Sequence, residues 1–156
     1  MQAQQLRRLI SPRPSAVFVR RFALLLGALL CASTASADAS ADALKPISDA
    51  AAALVNDDSE GFFDQFDRNM PGYAELRTEV EGLLGTSNVG ATVDVITDDG
   101  DEKKRTLALD WVLVLSEKST STGAKETRRG VVKCRVERRA KGWKITALEP
   151  AAFFRP

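Results

Sequence analysis

Arg105-Thr-Leu-Ala-Leu-Asp-Trp-Val-Leu-Val-Leu-Ser-Glu117 is the stretch that decides the fold. Leu107, Leu109, Trp111, Leu113 and Leu115 fall on every second position, the period of a strand with one buried face. Thr106, Ala108, Asp110 and Val112 form the opposite face. Thr127 to Arg139 repeats the pattern with Val132, Cys134 and Val136, and further strand-like runs occupy Asn88 to Thr97 and Gly142 to Leu148. All are rich in Val, Ile, Leu, Thr and Trp. The links Asp98 to Lys103, Lys118 to Glu126 and Ala140-Lys141 are short and turn-like, so neighbouring strands are expected to be antiparallel.

Upstream of the strands the period changes. Leu44, Ile47, Ala51, Leu54 and Val55 fall at helical spacing between Ala43 and Asn56, with Pro46 expected in the opening turn, where its missing N–H is harmless. Ser59 is the expected cap of a short second helix carrying Phe62, Phe63 and Phe66, which Met70-Pro71-Gly72 breaks. A third helix is expected from Gly72 to Leu84, with Tyr73, Leu76, Val80, Leu83 and Leu84 on one stripe and Gly85 as its stop. Helices with one apolar face need a surface to cover. About three N-terminal helices packed on a curved antiparallel sheet of about four strands, an α+β domain, satisfy both halves.

The first 37 residues read as an export address. A basic segment (Arg7, Arg8, Arg13, Arg20, Arg21) leads into the apolar run Phe22 to Leu30, and Ala35-Ser36-Ala37 offers the small residues that a signal peptidase reads. The expected division is therefore a signal peptide at 1–37 and one domain at 38–156, periplasmic or extracellular. A membrane anchor would need about 20 apolar residues, roughly twice what Phe22 to Ala32 supplies. Lipidation of Cys31 and a twin-arginine route through Arg20-Arg21 are the alternatives the leader leaves open.

Charge and residue types exclude much chemistry. The whole chain carries 22 basic and 21 acidic side chains, and without the leader's five arginines the balance becomes mildly acidic. That argues against nucleic acid as a partner. The locally basic stretch from Arg128 to Lys144 alternates with apolar residues and reads as a solvated sheet face. The chain contains no His, which removes Ser-His-Asp triads, Cys-His dyads and His-based zinc sites. Past the leader Cys134 is the one cysteine, expected to be a buried, inert thiol. The acidic clusters Asp57-Asp58 and Asp98-Asp99-Gly100-Asp101-Glu102 read as a helix start and a hairpin turn, and the second lacks the spacing of an EF-hand loop. No metal or cofactor is implied.

The layout resembles the NTF2-like (SnoaL-like) superfamily, and in particular its secreted bacterial members of unassigned role. The likeness rests on the opening helix, Phe62-Phe63-Asp64-Gln65-Phe66, the strand around Leu109-Asp110-Trp111-Val112-Leu113, and the closing Gly142-Trp143-Lys144-Ile145-Thr146-Ala147-Leu148-Glu149-Pro150. It implies a cone, a curved sheet closed by helices around a pocket, in a fold that hosts enzymes, binding domains and transport factors alike. Isomerases of this kind use a carboxylate base with Tyr and a protonated Asp. Asp110 is the best-placed candidate base if it faces the cone, where apolar neighbours would raise its pKa; facing solvent it has no such role. Asp94 is a weaker version of the same case, and Tyr73 at helical spacing is better explained as core. The favoured reading is an exported, non-enzymatic domain that binds a small apolar ligand or a protein partner. Its alternatives are an isomerase or hydratase using Asp110 as base, and an assembly domain that forms homodimers through its sheet.

Overall fold

The computed structural model describes residues 40–119 and 125–156; the expected leader, Cys31 and part of the Lys118 to Glu126 link lie outside them. Helix α1 spans 40–55, α2 Ser59–Phe63 and α3 Tyr73–Thr86. Strands β1 Ser87–Gly100, β2 Lys104–Glu117, β3 Lys125–Arg139 and β4 Gly142–Glu149 come next, and a 3-10 helix at Ala151–Phe154 succeeds them. The strands form one sheet in the order β1-β2-β3-β4, with every neighbouring pair antiparallel. The architecture is α+β, with helices on one face of a curved open sheet.

Several boundaries differ from expectation. Because α1 is already helical at residue 40, Pro46 sits in its interior, buried, and withholds one backbone donor from the helix. Val55, expected on the apolar stripe, is exposed, whereas Ala43, Ile47, Ala50, Ala53 and Leu54 are buried. Asp58, not Ser59, caps α2: its carboxylate accepts the Gly61 N–H at 2.9 Å. Gly85 does not stop α3, which continues to Thr86 and ends at extended Ser87. The first hairpin is tighter than the Asp98 to Lys103 link, since β1 runs on to Gly100, whose φ of 147° a side chain would oppose.

Two bulges set which residues enter the core. The β1–β2 register slips between Val95 and Thr97, so Ile96 is the unpaired extra residue and Asp98 turns to the inner side opposite Leu107. The β3–β4 register slips at Thr146, which lets Trp143, Ile145 and Leu148 all be buried although their spacing is not a strict alternation. The two sheet edges are treated differently. The α2–α3 connection covers β4: Ile145 N–H donates to the Gln65 carbonyl at 2.9 Å, and Asp67 N–H donates to the Ile145 carbonyl at 2.8 Å.

Candidate functional site

Two surfaces could carry function, the concave inner face of the sheet and its open outer face. On the inner face Leu107, Leu109, Trp111, Leu113 and Leu115 of β2 meet Val132, Cys134 and Val136 of β3. What closes this face is the segment after β4. Phe154 is fully buried, edge-on to Trp111 at 5.1 Å between ring centroids and to Phe62 at 5.9 Å. Phe153 lies beside it, over Gly130, where a Cβ would come within 3.1 Å of the Phe153 ring. Position 130 is therefore open because the aromatic ring uses the space. The Arg128 guanidinium donates to the carbonyls of Phe153 at 3.0 Å and Arg155 at 2.5 Å, and Arg155 pairs with Glu79 of α3 at 3.3 Å.

The concave face thus holds side chains where the family resemblance implied a pocket. Among the described residues Thr146 is the one buried polar side chain. The indole N–H groups of Trp111 and Trp143 are buried without a partner there. Two grooves among the described residues lie at the periphery of the sheet. One of about 500 Å³ is bounded by Thr86, Leu115, Lys125 and Pro156, and one of about 300 Å³ runs between α1 and β1.

Asp110 is on the outer face. Its carboxylate accepts from Arg129 Nε at 2.9 and 3.1 Å and also from Nη2, a forked pair bridging β2 and β3. The Arg129 hydrogen bond, more than its charge, holds the Asp110 carboxyl below the ordinary carboxylate range against a smaller opposing effect of burial. A carboxylate so held accepts a proton only under acid conditions, the opposite of the raised pKa that a neutral-pH base needs. Asp94 is exposed on β1, in register with Asp110 and within the field of Arg129. Tyr73 is half-buried at the start of α3, edge-on to Phe63 at 5.6 Å, so it sits at the rim of the core stripe. The three candidates are not gathered in one site: Asp110 and Asp94 share the outer face, and Tyr73 lies with the helices.

Cys134 is buried, and burial pushes its thiol up to about 12. Among the described residues no cluster of three or more Cys, Asp or Glu is arranged for a metal ion. The two acidic clusters make structural contacts near and far along the chain: Asp57 pairs with Lys118 at 2.7 Å. Asp101 accepts the backbone N–H groups of Lys103 and Lys104 in the hairpin. Asp98 makes the pair that sequence reading missed, to Arg105 at 2.6 Å and to the Ser40 hydroxyl at 2.8 Å. No alternation could reveal it, because the Ile96 bulge is what turns Asp98 inward.

No family model matches the sequence, and no curated protein matches it either. Solved structures do. An NTF2-like superfamily protein from Salmonella enterica superposes with a TM-score of 0.57 at 12% identity, over 72% of this chain and 89% of that one. An NTF-2-like protein of unknown function from Shewanella oneidensis gives 0.51 at 15%, over 69% and 93%. A protein of Novosphingobium aromaticivorans provisionally named a scytalone dehydratase gives 0.58 at 14%, over 67% and 76%. At such identities the likeness is one of fold.

Proposed function

We propose, from the premise that this chain has the NTF2-like fold, that it is an exported, non-enzymatic interaction module whose working surface is the outer face of its sheet. The observation that carries the reading is the filled concave face. Trp111, Phe62 and Phe154 are fully buried where this architecture would otherwise hold a substrate, leaving the outer face as the large open surface. The basic leader, the Phe22 to Leu30 run and Ala35-Ser36-Ala37 support export.

Charge layout supports a second copy as the partner on that face. Acidic Asp94 and Asp110 stand on β1 and β2, while Arg129, Lys133 and Arg135 stand on the outer side of β3. Exposed Val114 and Val131 lie among them. A two-fold axis near β2 sets the basic row of one copy over the acids of the other, the self-complementarity an isologous dimer requires. Sedimentation velocity tests this: wild type runs as a dimer that weakens with salt, and Val131→Arg runs as a monomer with an unchanged melting temperature. A wild-type monomer at high micromolar concentration refutes it. Screening isomerase and hydratase substrates tests the enzymatic alternative. Turnover that vanishes in Asp110→Asn would restore Asp110 as a base.

A further inference from the structure

The sheet's other edge is dressed differently from β4. Among the described residues, β1 has no strand on its outer side, and in an antiparallel pair every second residue turns its N–H and C=O away from its neighbour. A groove of about 300 Å³ runs along this edge. Ala91, Thr92 and Val93 line it together, three consecutive residues of both faces, so its floor is the strand's own backbone margin. The opposite wall is α1, presenting Ser48, Ala51, Ala52 and Val55, side chains too small to close it. Val55 on the α1 wall is 51% exposed, and Val95, further along the same strand, is 43% exposed, which leaves apolar surface on the helix and on the edge beyond the groove. Beyond Val95 the Ile96 bulge ends the regular edge.

We propose that β1 from Asn88 to Val95 is a docking edge for an extended segment of a partner protein, with small apolar side chains at alternate positions and a basic residue between them. Backbone pairing supplies the affinity and the groove selects alternate side chains, the strand-addition mode of peptide recognition. The apolar side chains face Ala51, Ala52 and Val55. The intervening side chains face outward beside Asp94, which is exposed and makes no salt bridge among the described residues. A cation directly across from it gains a cross-strand charge pair. That pairing also argues against a second copy here, because Ser87–Gly100 contains neither Lys nor Arg.

The probe is the peptide acetyl-Lys-Val-Thr-Ala-Lys-Val-Thr-amide, titrated into the protein while amide exchange is followed by NMR. The expected result is saturable binding with slowed exchange at alternate residues between Asn88 and Val95. Asp94→Lys weakens binding by about fivefold, the scale of losing and reversing one exposed pair. It also improves binding of the same peptide with Glu in place of Lys. Ala52→Trp, on the exposed groove wall, abolishes binding while the melting temperature holds. Three results overturn the proposal: no saturable binding, protection centred on Asp110 and Arg129, or β1 protection that depends on protein concentration and not on peptide. Because Asp94 is also one of the acids of the outer-face dimer, the titration is repeated on Val131→Arg, which should leave peptide binding intact, so this test and that of the dimer fail independently.

Discussion

Phe154→Ala should be among the most damaging single changes in this chain. Phe154 is fully buried and in edge contact with Trp111 at 5.1 Å, Phe153 at 5.2 Å and Phe62 at 5.9 Å. Returning a buried phenylalanine side chain to water costs about 2–3 kcal/mol, and aromatic edge contacts add about 0.5–1.5 kcal/mol each where they are not double-counted. The void cannot collapse readily, because Arg128 holds the backbone on either side of the residue and Trp111 is fixed in the middle of β2. Together these give about 4 kcal/mol, within the range of buried aromatic truncations, and for a domain of this size a fall in Tm of roughly 15 °C. Urea unfolding monitored by the fluorescence of buried Trp111 and Trp143 measures it, with an unchanged m-value showing that the same surface unfolds. Phe153→Ala, at the rim, is the graded control and should cost less. A loss below about 1 kcal/mol for Phe154→Ala would mean that the terminal segment does not fill the concave face, and with it the main support for a non-enzymatic reading would go.

The same packing sets other outcomes. Gly130→Val should destabilise strongly, because Phe153 occupies the space of the new side chain, whereas Gly130→Ala in a Phe153→Ala background should recover part of the loss. Cys134 should react slowly with a thiol reagent in the native state and fully after denaturation. Its folded pKa of about 12 lies above the ordinary 9.0, so its contribution to stability is complete below pH 9 and is lost as pH rises toward 12, a slope that Cys134→Ala should abolish in alkaline melts. Burial opposes ionisation of Asp98, but hydrogen bonds from Arg105 and Ser40 outweigh it and lower its pKa; stability should therefore fall as pH drops below the ordinary carboxylate range, less steeply in Asp98→Asn. Tyr73→Ala should cost about 1–2 kcal/mol by urea titration, since the ring is half-buried and loses less than a core aromatic.

By itself the sequence determined the elements and which face of most of them is apolar. The alternation through Leu107 to Leu115 and Val132 to Val136 admits a single inner face, because a one-residue slip would expose every one of those side chains. The same reasoning placed Cys134 in the core before any contact was known. Where one residue breaks the period, reading along the chain failed: the bulges at Ile96 and Thr146 reverse the faces of the residues beyond them, so Asp98 went unrecognised as an inner-side partner for Arg105. The surroundings of Asp110 were also beyond the sequence. Arg129 lies 19 positions away and meets it only through the β2–β3 register, which depends on the whole sheet. The tertiary structure alone decided that the concave face is filled, since Ala151–Phe154 carries no period to indicate where it packs. Phe153 and Phe154 are drawn under the sheet by the apolar surface of Trp111 and Phe62 and by the opening at Gly130; Trp111 and Gly130 become neighbours only once β2 and β3 have paired, and Phe62 joins them only once α2 has packed against the sheet.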